Sequence, residues 1–225
     1  MNNTRLCWNR ALAAAIIGAS MLIGAPAAWS GGNGNLPPGA KLNGLTFTQW
    51  LEEWMAWAVS PPVDQSPMLD PDGSNCHVGQ SKPVFFLATN FGGQDIRHCT
   101  VPAGQSIVFS PGGDFCILNL SADTEDGLRD CIEFSLSNLS TIRVEIDGVS
   151  LNLDKYRFIT DPFKFTLAEN NAIGLPAGEI EVVGGGYMVV HTPLPTGQHV
   201  IHIHDEFAAF GFVSDVTYII TVAAH

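Results

Sequence analysis

The sequence predicts an all-β protein, an antiparallel β-sandwich or jelly roll with one N-terminal amphipathic helix. Three observations lead there. Short runs rich in Val, Ile, Phe and Thr recur from residue 84 onward, separated by Gly, Pro and Asp turns. Several runs alternate apolar and polar residues, the period of a strand with one buried face. Only one stretch, "TFTQWLEEWMAWAVSPP", carries a strong helical period.

The elements follow in chain order. Arg5 and Arg10 open the chain without an acid, and Leu12 to Ala25 is almost wholly apolar. Small residues then surround a cut near Ser30/Gly31, with Ala27 and Ala28 as alternative points. Residues 1–30 thus read as a secretory signal peptide. The apolar run is shorter than the roughly 20 residues of a spanning helix. A secreted or periplasmic protein is expected, with no membrane span after cleavage. Residues 31–45 read as a flexible leader, and 46–225 as one β-sandwich domain.

Thr46 and Gln49 have capping-box spacing, which starts a helix at Phe47. Phe47, Trp50, Trp54 and Trp57 share one face, and Pro61 and Pro62 stop the helix after Val59. That face either packs on the core or, if exposed, offers Trp50, Trp54 and Trp57 as a platform for a protein or carbohydrate ligand. "DPDGSN" (Asp70, Asp72, Asn75) reads as a turn, since the calcium-loop pattern is incomplete.

"VFFLAT" (84–89) is continuously apolar, as for a strand buried on both faces. "IRHCTV" (96–101) and "QSIVFS" (105–110) follow as strands. Residues 112–137 are irregular and acidic, with room for a short helix. "TIRVEIDG" alternates cleanly and its "DG" predicts a hairpin into "VSLNLD". "FKFTLA", "GYMVVHTPL", "QHVIHIHDE" and "DVTYIITVAA" complete the series, and "VGGG" reads as a bulge or turn.

Composition narrows the function. Removing Arg5 and Arg10 with the signal leaves 8 basic and 22 acidic residues, a formal charge of −14. That balance argues against nucleic acid and against anionic membrane surfaces. Cys76, Cys99, Cys116 and Cys131 remain, an even number that reads as two disulfides in an exported chain. Of three possible pairings, local loop closure favours Cys76–Cys99 and Cys116–Cys131. No Cys-x-x-Cys pair supports zinc.

"HVIHIHDEF" (199–207) carries the strongest chemical signal. In a strand, His202, His204 and Glu206 share one face with Val200, while His199, Ile201 and Ile203 share the other. Two imidazoles and a carboxylate suit one divalent transition metal, with His191 able to join across a hairpin. His-x-His also resembles the first motif of cupins, whose metal-dependent chemistry that resemblance implies as an alternative reading. The match is partial: Gly197 stands one residue too close, the acid comes too soon, and only His225 lies downstream. The contrasting reading is a solvated strand face whose two acids open the next loop. A weaker alternative is calcium at Asp123, Glu125, Asp126 and Asp130. There is no Gly-x-Ser-x-Gly elbow, no phosphate loop and no His-Glu-x-x-His.

"PLPTGQHVIHIHDEF…DVTYIITV" resembles the closing strands of many exported β-sandwich domains. With Trp50/Trp54/Trp57, "NCHVGQ" (75–80), "VFFLA" (84–88) and "CTVPAG" (99–104), it resembles a family of bacterial secreted proteins without an assigned activity. The resemblance spans most of the mature chain and implies location and fold only. The expectation is an exported, non-catalytic binding or interaction protein without a cofactor.

Overall fold

The computed structural model describes residues 34–81 and 83–223. The signal-peptide reading of 1–30 lies outside these residues. The elements are α1 (Phe47–Val59), β1 (Val84–Phe86), β2 (Gly93–Pro102), β3 (Ser106–Phe109), β4 (Gly113–Ile117) and α2 (Glu125–Ser137). There follow β5 (Thr141–Ile146), β6 (Val149–Ser150), β7 (Arg157–Ile159) and β8 (Phe163–Leu167). β9 (Gly178–Tyr187), β10 (Val189–His191), β11 (Gly197–Phe207) and β12 (Phe212–Ala223) close the chain. The fold is mostly β, as the turn-punctuated pattern predicts. No helix among the described residues is long and apolar enough to cross a membrane.

α1 forms where its cap and period place it. Gln49 N–H donates to Thr46 Oγ1 (3.3 Å) and Thr46 N–H donates to Gln49 Oε1 (3.0 Å). Phe47, Trp50, Leu51, Trp54, Met55, Ala58 and Val59 are buried. They pack on Val84, Phe86, Val108 and Val190 from β1, β3 and β10, and on Val182 from β9. Residues 34–45, expected as a flexible leader, also lie on this cluster through Leu36, Ala40, Leu42 and Leu45. Their apolar side chains and the Leu36 N–H to Val190 O bond (2.8 Å) hold them there.

The strands form a five-stranded set, β2-β12-β11-β5-β6, a three-stranded set, β1-β3-β10, and a third set in which β4, β7 and β8 all pair with β9. β3 runs into β4, and β9 into β10, so the last two sets adjoin. Tyr187 N–H bonds Gly112 O (2.9 Å) at the join. Phe85, Leu87, Ile107, Phe109 and Val189 share a core with Val144, Ile201, Ile203, Val216, Tyr218 and Ile220. The β1-β3-β10 set is therefore buried on both faces, which explains the unbroken apolar run at 84–89.

Three expectations need correction. Pairing is not antiparallel throughout: β1 runs parallel to β3, and β2 parallel to β12. A second full helix, α2, occupies the acidic stretch; Thr124 Oγ1 caps it by accepting from Gly127 N–H (3.1 Å), and Leu128, Ile132 and Leu136 are buried. "VGGG" lies inside strand β9 rather than in a turn. A Cβ on Gly185 would come within 2.7 Å of Ile132 Cγ1 and 2.9 Å of Leu136 Cδ1, and one on Gly184 would collide with Met55. The glycines are there because both helices press on one strand.

The disulfides are Cys76–Cys99 and Cys116–Cys131, the locally closed pair. The second ties α2 to β4. The first ties the 70–76 turn to β2, the outer strand of its set. Asp70 shapes that turn by accepting Gly73 N–H (3.0 Å) and Asn75 N–H (2.9 Å). His98 N–H then donates to Asp72 O (2.8 Å). Gly73, at φ 92°, rests against the His98 backbone, where a Cβ would sit 2.5 Å from the carbonyl oxygen.

Gly185→Ala should cost about 1–3 kcal/mol through overpacking against α2. A lowered urea midpoint with an unchanged slope would confirm it; an unchanged midpoint would show that α2 does not press on β9.

Candidate functional site

Both faces of β11 carry chemistry, because the strand does not end where the sequence suggests. Pairing with β12 continues to Phe207↔Phe212, so the two acids belong to the strand and not to a following loop. His202, His204 and Glu206 keep the outward face. His199, Ile201, Ile203, Asp205 and Phe207 are buried.

On the outward face the histidines meet carboxylates. His202 Nε2 lies 3.1 Å from Asp215 Oδ1, His204 Nδ1 lies 3.0 Å from Asp215 Oδ2, and His204 Nε2 lies 2.8 Å from Glu206 Oε1. Asp215 sits directly across the ladder from His204. Ionised carboxylates only accept hydrogen bonds, so contact with both favours the protonated form of the His204 ring. Burial works against that charge, but the bonds to Glu206 and Asp215 outweigh it and raise the His204 pKa. His204 in turn holds Glu206 below the usual carboxylate range. Burial pushes Asp215 up, yet the bonds from His204 and His202 carry it below its ordinary value.

His191 does not join them. It lies on β10, in another strand set, with Nδ1 2.6 Å from Thr192 O and its ring beneath Gly34. Among the described residues, no group of three or more His, Cys, Asp or Glu is arranged to hold a metal ion. The acids considered for calcium serve α2 instead: Glu125 and Asp126 occupy its first turn, where negative charge complements the helix dipole. Asp123 and Asp130 are exposed beside them.

The inward face holds two further ionisable groups. His199 Nδ1 lies 2.7 Å from Asp147 Oδ2 and Nε2 lies 2.8 Å from Pro195 O. A carbonyl and a carboxylate both accept, so these contacts also favour the protonated ring. Burial opposes its charge, but Asp147 and Pro195 raise its pKa.

Asp205 is different. It is 3% exposed, and its Oδ1 has no hydrogen-bond partner. Burial pushes its pKa up to about 7, against a smaller pull from Ser214 and His204. It lines a cavity of about 290 Å³ with Trp54, Met55, Met68, Phe115, Phe207 and Phe212. Phe91 and Phe210, 44% and 57% exposed, form part of the rim. The other acid there, Asp114, already accepts Ser135 Oγ–H (2.6 Å) from α2. Sequence reasoning passed over Asp205, although strand parity continued from Ile201 and Ile203 points to it.

Trp50 and Trp54 are buried and Trp57 is half-buried, so the three are not presented as a platform. Trp50 Nε1–H donates to Leu42 O (3.2 Å), Trp54 to Leu87 O (2.7 Å) and Trp57 to Val78 O (2.9 Å). Each thereby pins a neighbouring segment to α1, and Trp54 also walls the cavity.

No family model and no curated protein matches the chain. A solved structure of PbICP-C in complex with falcipain-2 is similar over 61% of this chain and 98% of its own, at 11% identity and a TM-score of 0.24. Agreement that loose carries no argument about fold or partner.

Between pH 5.5 and 8 the three groups with raised pKa values act with one sign. His199 and His204 stabilise fully below pH 6.5 and lose this as pH rises through their raised values. Asp205, raised from 3.8 to about 7, also stabilises the fold most at low pH and loses this as pH rises to about 7. Asp215 and Glu206, held low, lose their contribution only as pH falls through their lowered values. The melting temperature should therefore be higher near pH 5.5 than near pH 8, with Asp205 alone accounting for roughly 2 kcal/mol. Asp205→Asn should flatten that slope and stabilise the protein at pH 8 by roughly 1–3 kcal/mol. Loss of stability at both pH values would show that the carboxyl group is structural.

Proposed function

We propose that the chain is an exported binding protein, a disulfide-stapled β-sandwich that takes a small apolar ligand into the cavity around Asp205. The observation that carries this reading is the buried, unpartnered Asp205 oxygen on an otherwise mainly apolar wall. Buried polar atoms almost always have partners, because an unmatched one costs about 1–3 kcal/mol. Of the residues with such an atom among those described, Asp205 is the one that lines the cavity. A concave, mostly apolar space with few polar groups is how small-molecule sites are built, and this volume lies near the small end of their roughly 300–1,000 Å³ range. Two disulfides are compatible with an oxidising compartment.

A binding role is favoured over cupin-like metal chemistry by the outward histidines. Both nitrogens of His204 are engaged by acids, and the strand face they occupy is not the face that lines the cavity. Both histidines are held by carboxylates on the outward face of β11 and β12.

Titration with toluene or indole should shift the NMR signal of the Trp54 indole N–H, whose ring lines the cavity. The Trp50 indole, which does not line it, should stay in place. Saturating probe that leaves the Trp54 signal unmoved would remove the cavity as a binding site.

A further inference from the structure

We infer that the ligand of this cavity is a small organic cation: a protonated amine on an apolar body, its nitrogen bound at the Asp205 carboxylate and its body held among Trp54, Phe115, Phe207 and Phe212. This rests on the reading of the cavity as a binding site and names the chemistry of its ligand.

Three features select a cation over an anion or a neutral molecule. The cavity is lined by two carboxylates, Asp205 and Asp114, and by no Lys, Arg or His. An anion placed there would meet like charge in a poorly hydrated space, where repulsion is strong. Asp114 is committed to Ser135, which leaves the Asp205 carboxylate as the lining acid without a hydrogen bond of its own. The walls are aromatic, and ring faces attract cations, most strongly when both are desolvated. The chain's formal charge of −12 draws cations to the rim from a distance.

The cations of the fold are committed to other partners, and His204 pulls on Asp205 less than burial pushes. Arg97 is buried against Asp95 and Tyr218, and the His204 ring is bonded to Asp215 and Glu206. A bound ammonium supplies the missing charge and donates to the oxygen that has no partner. One carboxylate in an apolar setting does not meet the six to eight oxygen ligands calcium takes, so an organic cation fits better than a metal.

Benzylammonium, benzyl alcohol and benzoate match in size and differ in charge, and can be titrated into the full-length protein and its Asp205→Asn variant near pH 8. Benzylammonium should bind roughly tenfold or more tighter than benzyl alcohol, and benzoate weakest. In the variant, the preference for benzylammonium over benzyl alcohol should fall to about one. Equal binding of benzylammonium and benzyl alcohol to the unsubstituted protein, or tighter benzoate, overturns the cation assignment and leaves the cavity as a site for neutral or acidic ligands. If none of the three probes, nor toluene, moves the Trp54 signal, both readings fall. A variant that keeps the full preference shows that Asp205 does not hold the nitrogen. The three-probe comparison in the unsubstituted protein decides the matter even if the variant does not fold.

Discussion

A buried guanidinium needs partners for its charge, and much of this structure is arranged around one whose Nη1 and Nη2 are bonded while its Nε is left without a partner. Arg97 is 1% exposed on β2. Its Nη1 donates to Pro67 O, Ala88 O and Tyr218 Oη, and its Nη2 to Asp95 Oδ2. The Tyr218 hydroxyl, on β12, in turn donates to Ala88 O (2.7 Å) and accepts from Ala88 N–H (3.0 Å). Removing one partner from such a network strands a charge in the interior, which costs several times more than an exposed pair contributes. One side chain thus fixes the 67–70 turn, the chain after β1 and two parallel strands. Asp95 extends the reach by accepting from Asn90 Nδ2 (2.9 Å). Met68, Thr89, Asn90 and Phe91 all hang from these anchors and all line the cavity. The cavity is held by a charge that does not itself line it.

The opposite wall depends on close approach. β9 accepts α1 on one side and α2 on the other because Gly184 and Gly185 leave room. α2 brings Ser135 to Asp114, and α1 brings Trp54 and Met55 to the cavity. Packing of this kind makes the cavity a consequence of the core. Among the buried side-chain atoms left without a partner, which include Ser66 Oγ, Arg97 Nε, Gln105 Oε1 and Ser214 Oγ, that of Asp205 belongs to a residue on the cavity wall, and residues that violate local rules inside a consistent fold are where function concentrates.

Local features were legible in the sequence and non-local ones were not. α1 could be read to its ends because cap, period and prolines are all encoded within its own residues. The alternation of Ile142, Val144 and Ile146 and of Ile201 and Ile203 named the inward faces correctly. Parallel pairing of β1 with β3, and of β2 with β12, leaves no mark in either partner, since it is set by what the chain does between them. α2 was obscured by its acids, which mask a three-residue apolar stripe. The glycines of β9 signal a turn in isolation and a strand only when two helices are known to press there. Asp205 was encoded by parity, but an acid beside another acid reads as the start of a loop until the ladder partner at Ser214 is seen.

The Cys76–Cys99 bond lies over an outer strand. β2 pairs with β12 on one side, and on the other the 70–76 turn lies along it, with Asp72 O taking the His98 N–H. The disulfide keeps that turn in place. A chain made where thiols stay reduced would leave the turn free to lift and the strand edge bare, a template on which a second copy can add its own β2. The bond is therefore a guard against self-association as much as a staple, and the protein is safest at high concentration only after it has been oxidised.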